Sequence, residues 1–192
     1  MNNDPFRVFE SWYQEAGSDT SPSRDAIALA TASADGRPSL RMVYFRGIRE
    51  GGFSFFTNYE SRKGSELAQN PYASIVFYWS HIARQVRIEG RVERLSPEES
   101  DRYFNERPFQ SRISAIVSRQ SRPIEDDAAF VEALHAAEIT YKSQSITRPE
   151  NWGGFKLVPS LFEFWTRGEH RRHHRIVYQK DRESWKAARL YP

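Results

Sequence analysis

Basic side chains occur in four clusters along this sequence, and each cluster could bind an anion. The first is the pair Arg41 and Arg46, five positions apart on a predicted strand. Because successive strand residues point to opposite faces, strict alternation would place these two side chains on opposite sides of a sheet. One ligand could contact both only near a strand edge or a bulge. From this segment alone, solvated arginines at the strand ends are the favoured interpretation.

The second cluster is Ser61-Arg62-Lys63, at the start of a predicted helix. Free backbone N–H groups at a helix N-terminus favour an anion, and phosphate is the natural one. A serine cap with two solvated neighbours would explain the same residues. Cations at this end oppose the helix dipole, however, so their placement also indicates an anionic partner. Both interpretations stay open.

The third cluster contains Tyr103, Arg107 and Ser111. Tyr103 and Arg107 are four residues apart and share one face of a predicted helix. Taken singly, Ser111 is expected to cap the next helix. Together the three side chains could offer two hydroxyls and a guanidinium to one phosphate.

The fourth cluster, residues 167–175, carries seven Arg and His side chains in nine positions. On a strand, Arg171, His173 and Arg175 would project to one side, and Arg172 and His174 to the other. A run of charges is usually a solvated face. Seven cationic or titratable side chains would repel each other without anions, so we favour an anion site on one side of this segment.

Composition limits the remaining classes of function. The 192 residues suffice for one sizeable core, and Lys plus Arg total 28 against 25 for Asp plus Glu, a net charge of +3. So small an excess does not by itself imply a nucleic-acid partner. The absence of cysteine excludes disulfides, thiolate metal sites and a cysteine nucleophile. The histidines lack companions at ligand spacing, so no metal is expected, and no Walker A, G-x-S-x-G or G-x-G-x-x-G motif occurs.

Patterning along the chain predicts an antiparallel barrel with peripheral helices. Apolar spacing and capping residues predict helices over 4–16, 62–69, 96–107, 111–118 and 126–141, and a loop over 17–24. Strands are predicted over 26–33, 39–48, 53–57, 72–79, 84–95 and within 152–190, with turns at 35–36, 51–52, 153–154, 167–168 and 180–181. Strands, then helices, then strands is not the alternation of a doubly wound fold. We find no internal repeat and expect one domain over residues 1–192. The N-terminus shows no targeting pattern and no window approaches a membrane span, so a cytoplasmic location is the default expectation, without a membrane partner.

Motifs spread over nearly the whole chain resemble those of the pyridoxamine (pyridoxine) 5′-phosphate oxidases, in the same order and spacing. They are Arg41-Met-Val, Phe56-Thr57-Asn58-Tyr-Glu-Ser61-Arg62-Lys63-Gly64, Arg84-Gln85-Val86-Arg87-Ile-Glu89-Gly90, Tyr103-Phe104 with Arg107-Pro108, Ser118-Arg-Gln120-Ser121, Trp152-Gly-Gly and Glu163-Phe164-Trp165. The resemblance implies an FMN-binding split β-barrel of antiparallel Greek-key type, working as a homodimer with each flavin at the subunit interface. It also implies oxidation of pyridoxamine or pyridoxine 5′-phosphate to pyridoxal 5′-phosphate, with O₂ reduced to H₂O₂, in vitamin B6 metabolism.

Matching motif positions assigns roles to individual residues. For FMN, the resemblance implies Arg41, Met42, Val43, Tyr44, Phe45, Arg46, Phe56, Thr57, Arg62, Lys63, Gln85, Gln120, Ser121, Trp165 and Arg175. For the substrate, it implies Arg46, Tyr103, Arg107, Ser111, Arg171 and His173. Arg171 and His173 are the expected catalytic pair, for orientation and charge stabilisation, with His173 a candidate proton acceptor. Two dianionic phosphates would need several cations, which the four basic clusters can supply if they converge.

The sequence departs from the usual family pattern in three places. Arg46 stands where the family usually has Lys, so a planar guanidinium would replace a point charge at the substrate phosphate. The other departures are Thr166, Arg167, Arg172 and His174. Three alternatives stay open: an FMN oxidase with another substrate, of the phenazine-biosynthesis type; a non-catalytic protein that binds flavin or pyridoxal phosphate; and a barrel that binds nucleic acid. A substrate without phosphate would not need the residues of the third cluster, which favours a vitamin B6 phosphate.

Overall fold

The computed structural model describes residues 4–17 and 22–192 of the chain. Its helices are α1 Pro5–Ala16, α2 Arg62–Gln69, α3 Pro97–Glu106, α4 Phe109–Val117 and α5 Asp127–Tyr141. Its strands are β1 Ala26–Ala32, β2 Pro38–Tyr44, β3 Ile48–Arg49, β4 Gly52–Asn58, β5 Tyr72–Trp79, β6 Arg84–Arg94, β7 Trp152–Thr166, β8 His174–Asp181 and β9 Ser184–Leu190. Among the described residues, no helix is both long and apolar enough to span a bilayer.

All strand pairs are antiparallel, and they join into one nine-stranded sheet. The main path is β2-β1-β5-β6-β7-β4-β3, and β8 and β9 extend it from β7. Strand β7 pairs with β6 along one edge and with β4 and then β8 along the other. The predicted antiparallel sheet with peripheral helices is confirmed. In the described chain the path ends at β2 and β3 without closing, so the closed barrel stays a prediction.

An aromatic core holds α1 against the sheet. Phe9 of α1 is fully buried, and its ring lies 4.8 Å from that of Phe53 and 4.9 Å from that of Phe77. Edge-to-face pairs of this kind add to the free energy gained by burying the rings. Asp4 caps the helix, because its carboxylate accepts a hydrogen bond of 3.0 Å from the backbone N–H of Phe6. The predicted cap and helical spacing are therefore confirmed.

A second, smaller apolar cluster lies under helices α3, α4 and α5. It is built on Phe104, Ile113, Ile146 and Trp152, all buried. Trp152 is the first residue of β7, so this cluster ties the helices to the main sheet. Ser96 caps α3 as predicted, accepting a hydrogen bond from the N–H of Glu99.

The turn predicted at 153–154 is wrong, because Gly153 and Gly154 lie inside β7 opposite β4. A Cβ at Gly153 would stand 2.1 Å from the Tyr59 hydroxyl, and one at Gly154 would stand 2.5 Å from Leu95. These glycines permit close approach of neighbouring side chains across a strand.

Four other boundaries differ from prediction. The strand predicted over 39–48 breaks after Tyr44, at Gly47, whose φ of +86° suits glycine. The turn predicted at 180–181 lies at residues 182–183, and α4 begins at Phe109 instead of Ser111. The loop predicted over 17–24 falls partly outside the described residues, and its last part is a short 3-10 helix, Pro22–Asp25.

The strand geometry predicted for the fourth basic cluster is also wrong. Residues 167–173 form a loop with a 3-10 turn at Glu169–Arg171, and β8 begins only at His174. His170 and Arg171 have positive φ values of 51° and 63°, which interrupt extended backbone. Arg171, His173 and Arg175 therefore do not alternate along one strand.

Candidate active site

A cavity of about 460 Å³ opens where β2, β4 and α2 meet helices α3 and α4. Its lining residues are Met42, Val43, Tyr44, Arg46, Phe56, Thr57, Lys63, Tyr103, Arg107, Pro108, Ser111, Gln120 and Trp152. Three of them are cationic and none is a carboxylate. The cavity is therefore suited to an anionic ligand of small-molecule size.

Lys63 supplies a buried ammonium group at this cavity. Its side chain is only 8% exposed, and Nζ donates a hydrogen bond of 3.3 Å to Oγ1 of Thr57. Burial lowers the pKa of Lys63, the nearby Arg41 charge lowers it further, and Glu66 partly offsets both. A bound anion would offset the unfavourable burial of the Lys63 charge, because it would stabilise the ammonium form where little water is present.

The carboxylate of Glu66 gathers four donors beside Lys63. Its two oxygens accept hydrogen bonds from the side chains of Thr31, Ser39, Arg41 and Arg62. Burial by itself would raise the pKa of Glu66, but these hydrogen bonds outweigh burial and bring the pKa to about 2. The network joins β1, β2 and α2, and therefore fixes the helix that carries Lys63.

We expect Glu66→Gln to lower the free energy of unfolding by about 3 kcal/mol at pH 7, since a pKa shift of one unit corresponds to about 1.4 kcal/mol. The folded-state pKa lies below the unfolded value, so this contribution is complete above pH ~4.5 and is lost as pH falls toward ~2. Urea unfolding of wild type and variant across that range measures the difference. Glu10→Gln, at an exposed position of α1, is the control and should change stability by less than about 0.5 kcal/mol. A loss of unfolding free energy that does not depend on pH would show that Glu66 contributes through its shape and not through its charge.

Arg107 presents an unsatisfied donor. Its Nη1 is buried with no hydrogen-bond partner among the described residues. The guanidinium lies 4.5 Å from the centroid of the Trp152 ring, a cation–π contact that holds the group in place. Burial and the charge of Arg46 lower the pKa of Arg107, while Tyr103 opposes them. Because a buried donor without a partner costs about 1–3 kcal/mol, this geometry fits a ligand that brings an acceptor.

Aromatic rings form the wall beside Arg107. Phe56 and Tyr103 stack with centroids 3.8 Å apart, and Trp152 continues the stack. Trp152 and Pro108 line the cavity but were not among the predicted site residues. Both stand in the motifs that carry the family resemblance, and that is the signal that could have identified them.

Only part of the predicted site lies around this cavity. The predicted residues that line it are Met42, Val43, Tyr44, Arg46, Phe56, Thr57, Lys63, Tyr103, Arg107, Ser111 and Gln120. Gln120 is held there because its Oε1 accepts hydrogen bonds from the Thr57 hydroxyl and the Asn58 N–H, at 3.0 and 3.2 Å. Ser121 follows it in an exposed turn with φ of 74°.

Three predicted flavin residues point elsewhere. Phe45 lies in the aromatic core and is 4% exposed. Arg41 and Arg62 both bind Glu66 instead of lining the cavity. Arg41 also donates to the carbonyl of Leu29, so its guanidinium is engaged within the sheet.

A second group of predicted residues gathers on β6, β7 and β8. Gln85 pairs with Trp165 and Trp165 with Arg175 in the strand register. Arg175 donates to the buried carboxylate of Glu163 at 2.7 Å. Burial raises the pKa of Glu163, but its bonds to Arg175 and Arg87 outweigh burial and lower it.

A second cavity of about 430 Å³ adjoins this group, lined by Arg172, His173, Arg189, Leu190, Tyr191 and Pro192. It shares no lining residue with the first cavity. The basic clusters were expected to converge on one site. Within one chain, Lys63 and Arg107 line the same cavity, and Arg171 does not. Arg171 lies in the 167–173 loop, next to the second cavity in sequence.

Comparisons with known proteins agree on one family. Residues 15–142 match the model described as pyridoxamine 5′-phosphate oxidase, and residues 152–192 match the pyridoxine 5′-phosphate oxidase C-terminal dimerisation region. The pyridoxine/pyridoxamine 5′-phosphate oxidase of Gluconobacter oxydans is 46% identical, covering 100% of this chain and 96% of the relative. That of Burkholderia multivorans is 49% identical, covering 98% and 89%.

Solved structures show the same fold. PhzG from Burkholderia lata 383, in complex with tetrahydrophenazine-1-carboxylic acid, superposes with a TM-score of 0.93 at 30% identity, covering 99% of this chain and 93% of PhzG. An FMN-binding protein from Nostoc punctiforme, related to pyridoxamine 5′-phosphate oxidase, superposes with a TM-score of 0.79 at 21% identity and covers all of both chains. At that identity, the second likeness concerns the fold alone.

Proposed function

Because this chain belongs to the pyridoxamine 5′-phosphate oxidase family, we propose that it oxidises pyridoxamine 5′-phosphate, pyridoxine 5′-phosphate or both to pyridoxal 5′-phosphate, with O₂ reduced to H₂O₂. It is an FMN-dependent oxidase, and its cofactor is FMN. The observation that carries the choice of substrate concerns Arg107, which lines the first cavity and whose buried Nη1 has no hydrogen-bond partner among the described residues.

The first cavity fits the flavin phosphate at its Lys63 end. The buried ammonium of Lys63 donates one N–H to the Thr57 hydroxyl and offers its charge and its remaining N–H groups to a group that carries about −1.5 to −2 at neutral pH. Gln120 adds an amide beside Thr57. When bound, FMN supplies the acceptor for a hydride from the substrate and passes the electrons to O₂. The protein binds the cofactor and excludes water around it.

The Arg107 end of the same cavity fits the phosphate of the substrate. Arg107 offers an unsatisfied N–H, and Tyr103 and Ser111 stand beside it as hydroxyl donors. Arg46 adds a second guanidinium, held over the Tyr44 ring at 4.9 Å. A planar fork of donors matches a phosphate better than it matches an uncharged group.

We further propose that two copies of the chain complete each site, with FMN at their interface. The C-terminal dimerisation region, residues 152–192, carries Trp165, Arg171, His173 and Arg175, and none of these four lines the first cavity. In a two-fold dimer, the same pair of surfaces meets twice. Each active site would then combine the Lys63–Arg107 cavity of one subunit with the Arg171–Arg175 segment of its partner.

An exposed apolar stripe on edge strand β2 suits the contact with the second copy. Leu40, Met42 and Tyr44 are 69%, 63% and 55% exposed on one face of the strand. Alanines of β1 lie opposite them in the register, so the face is apolar and flat. Because Met42 and Tyr44 also line the first cavity, a subunit that covers this stripe would close the cavity as well.

We expect Leu40→Glu to weaken the dimer about a hundredfold, since it places a charge where an apolar side chain would be buried. Sedimentation equilibrium of the FMN-loaded protein measures the dissociation constant. Val131→Glu on α5 is the matched control, because Val131 is 63% exposed but lies outside the stripe, and it should leave the dimer unchanged. If both variants dimerise like wild type, the stripe is not the interface.

The direct test of function is H₂O₂ release by FMN-loaded protein supplied with pyridoxamine or pyridoxine 5′-phosphate. We expect pyridoxal 5′-phosphate to form in equal amount to H₂O₂ with at least one of them. Absence of product with both would overturn the proposed substrate.

A second candidate is oxidation of a tricyclic carboxylic acid, as the ligand of PhzG indicates for that protein. The TM-score of 0.93 to PhzG favours it. Arg107 and its two hydroxyl neighbours argue against this candidate, because together they offer more hydrogen-bond donors than a single carboxylate needs. Turnover of tetrahydrophenazine-1-carboxylic acid in the same assay, without turnover of the B6 phosphates, would decide for this candidate.

A further inference from the structure

The imidazole of His173 is fixed by contacts around its ring. The backbone N–H of Gly168 donates a hydrogen bond of 3.3 Å to Nδ1. One ring face lies against Trp165, with centroids 4.7 Å apart. The backbone N–H of His173 donates to the carbonyl of Arg171 at 2.9 Å, which holds the base of the side chain. Orientation of this ring is therefore built into the loop that precedes β8.

The Gly168 contact decides which nitrogen carries the proton. A ring nitrogen that accepts an N–H hydrogen bond bears no hydrogen, so neutral His173 must carry its proton on Nε2. Within the described residues, Nε2 has no hydrogen-bond partner, and the side chain lines the second cavity beside Arg172 and Arg189. With Nδ1 engaged by Gly168, Nε2 is the ring nitrogen left for a ligand, and it is a donor.

Position 168 has little freedom to be anything but glycine. A Cβ there would stand 2.0 Å from the backbone oxygen of Arg172, although the φ of Gly168 is an ordinary −119°. The tight loop is anchored by hydrogen bonds from Arg167 N–H to Ala83 O and from Arg172 N–H to Glu169 O, at 3.1 and 2.9 Å. It also holds the positive φ values of residues 170 and 171, which persist only where the surroundings fix the backbone.

We propose that the Gly168 amide locks His173 in its Nε2–H tautomer, and that His173 therefore donates a hydrogen bond to the bound substrate instead of accepting a proton from it. Gly168 is a positioning residue that acts through His173. The proposal rests on the proposed function, since it takes the ligand at Nε2 to be the vitamin B6 phosphate.

The tautomer can be observed without turnover. In ¹⁵N-histidine-labelled, FMN-loaded protein at about pH 8, where an ordinary imidazole is neutral, the protonated and unprotonated ring nitrogens have distinct chemical shifts. The signal that disappears in His173→Gln belongs to His173. We expect protonated Nε2 and bare Nδ1; the opposite tautomer, or a mixture of both, overturns the lock. In Gly168→Ala, where the Cβ forces the amide from the ring, the tautomers should mix and kcat should fall about tenfold with FMN still bound.

A pair of amide substitutions tests the donor role. The amide nitrogen of Gln can reach the place of Nε2, whereas that of Asn reaches only the place of Nδ1. We expect His173→Gln to keep kcat within about tenfold of wild type, and His173→Asn to fall to the level of His173→Ala. Gln and Asn variants that are both as poor as Ala would show that proton acceptance is required, and two fully active variants would remove His173 from the site; either result overturns the donor role. If wild type itself oxidises neither B6 phosphate, the proposed function and the donor role fail together, while the NMR measurement still decides the tautomer.

Discussion

Replacing Arg107 with Met is expected to raise the KM for pyridoxamine 5′-phosphate about a hundredfold, with a smaller effect on kcat. Removing one partner of a buried, hydrogen-bonded charge pair costs about 2–5 kcal/mol, and about 1.4 kcal/mol corresponds to a factor of ten. Methionine keeps an unbranched apolar stem against Trp152, so the wall of the cavity should survive. Initial rates of H₂O₂ release over a range of substrate concentrations give both constants.

Two controls separate a phosphate contact from a general disturbance. Arg112→Met removes a neighbouring arginine that does not line the cavity, although its Nε is also buried with no partner among the described residues. Its KM should stay within about threefold of wild type. Unphosphorylated pyridoxamine should be handled alike by wild type and Arg107→Met. A KM for the phosphate ester that barely moves in Arg107→Met would place the substrate phosphate elsewhere.

Local signals in the sequence were enough for most of the elements that position these residues. The bounds of α2 follow from Ser61 as cap and from Asn70-Pro71, where helical backbone becomes unfavourable. Strand β5 likewise lies between that stop and the Trp79 region, as predicted. Such signals depend on neighbours within a few residues, so they can be recognised from the sequence without knowledge of tertiary contacts.

Features set by tertiary contacts were not predictable in this way. Gly153 and Gly154 have the composition of a turn, yet they serve close approach of Tyr59 and Leu95 from other parts of the chain. The loop 167–173 has the composition of a solvated strand, but its backbone bends at His170 and Arg171. The alternation of apolar and polar residues along a strand reveals neither the close approach at the two glycines nor the bend in the loop.

The same distinction applies to the site. Residue types and motif positions selected most of the side chains that line the first cavity, but not Pro108 and Trp152. They did not show that Arg41 turns toward Glu66, because that pairing joins β2 and α2 across the fold. They also did not separate the residues of the first cavity from those near the second, since a linear sequence does not record which distant segments meet in the fold.

Because the predicted site residues fall into two separate groups, we expect two variants, each damaged in one group, to restore activity when they form a mixed dimer. Arg107→Met removes a cavity residue, and Arg171→Ala removes a residue of the loop near the second cavity. At a substrate concentration near the wild-type KM, each variant alone should lose most activity with FMN bound. If each site combines the two halves from different subunits, a mixed dimer holds one doubly damaged site and one intact site. Random pairing makes about half of the dimers mixed, so co-expressed variants should recover about one quarter of wild-type activity.

The measurement is H₂O₂ release per bound FMN after co-expression of the two chains with different affinity tags. Tandem purification of the mixed dimer should raise the recovery to about one half, because every dimer then carries one intact site. Mixing the same purified variants after each is locked by an engineered intersubunit cross-link is the control, and should restore nothing. Activity in the mixed dimer no higher than in the parents would mean that one chain supplies both halves of each site. In that case the Arg171 loop must reach the Lys63–Arg107 cavity by a rearrangement within the subunit, and the proposed shared site is wrong.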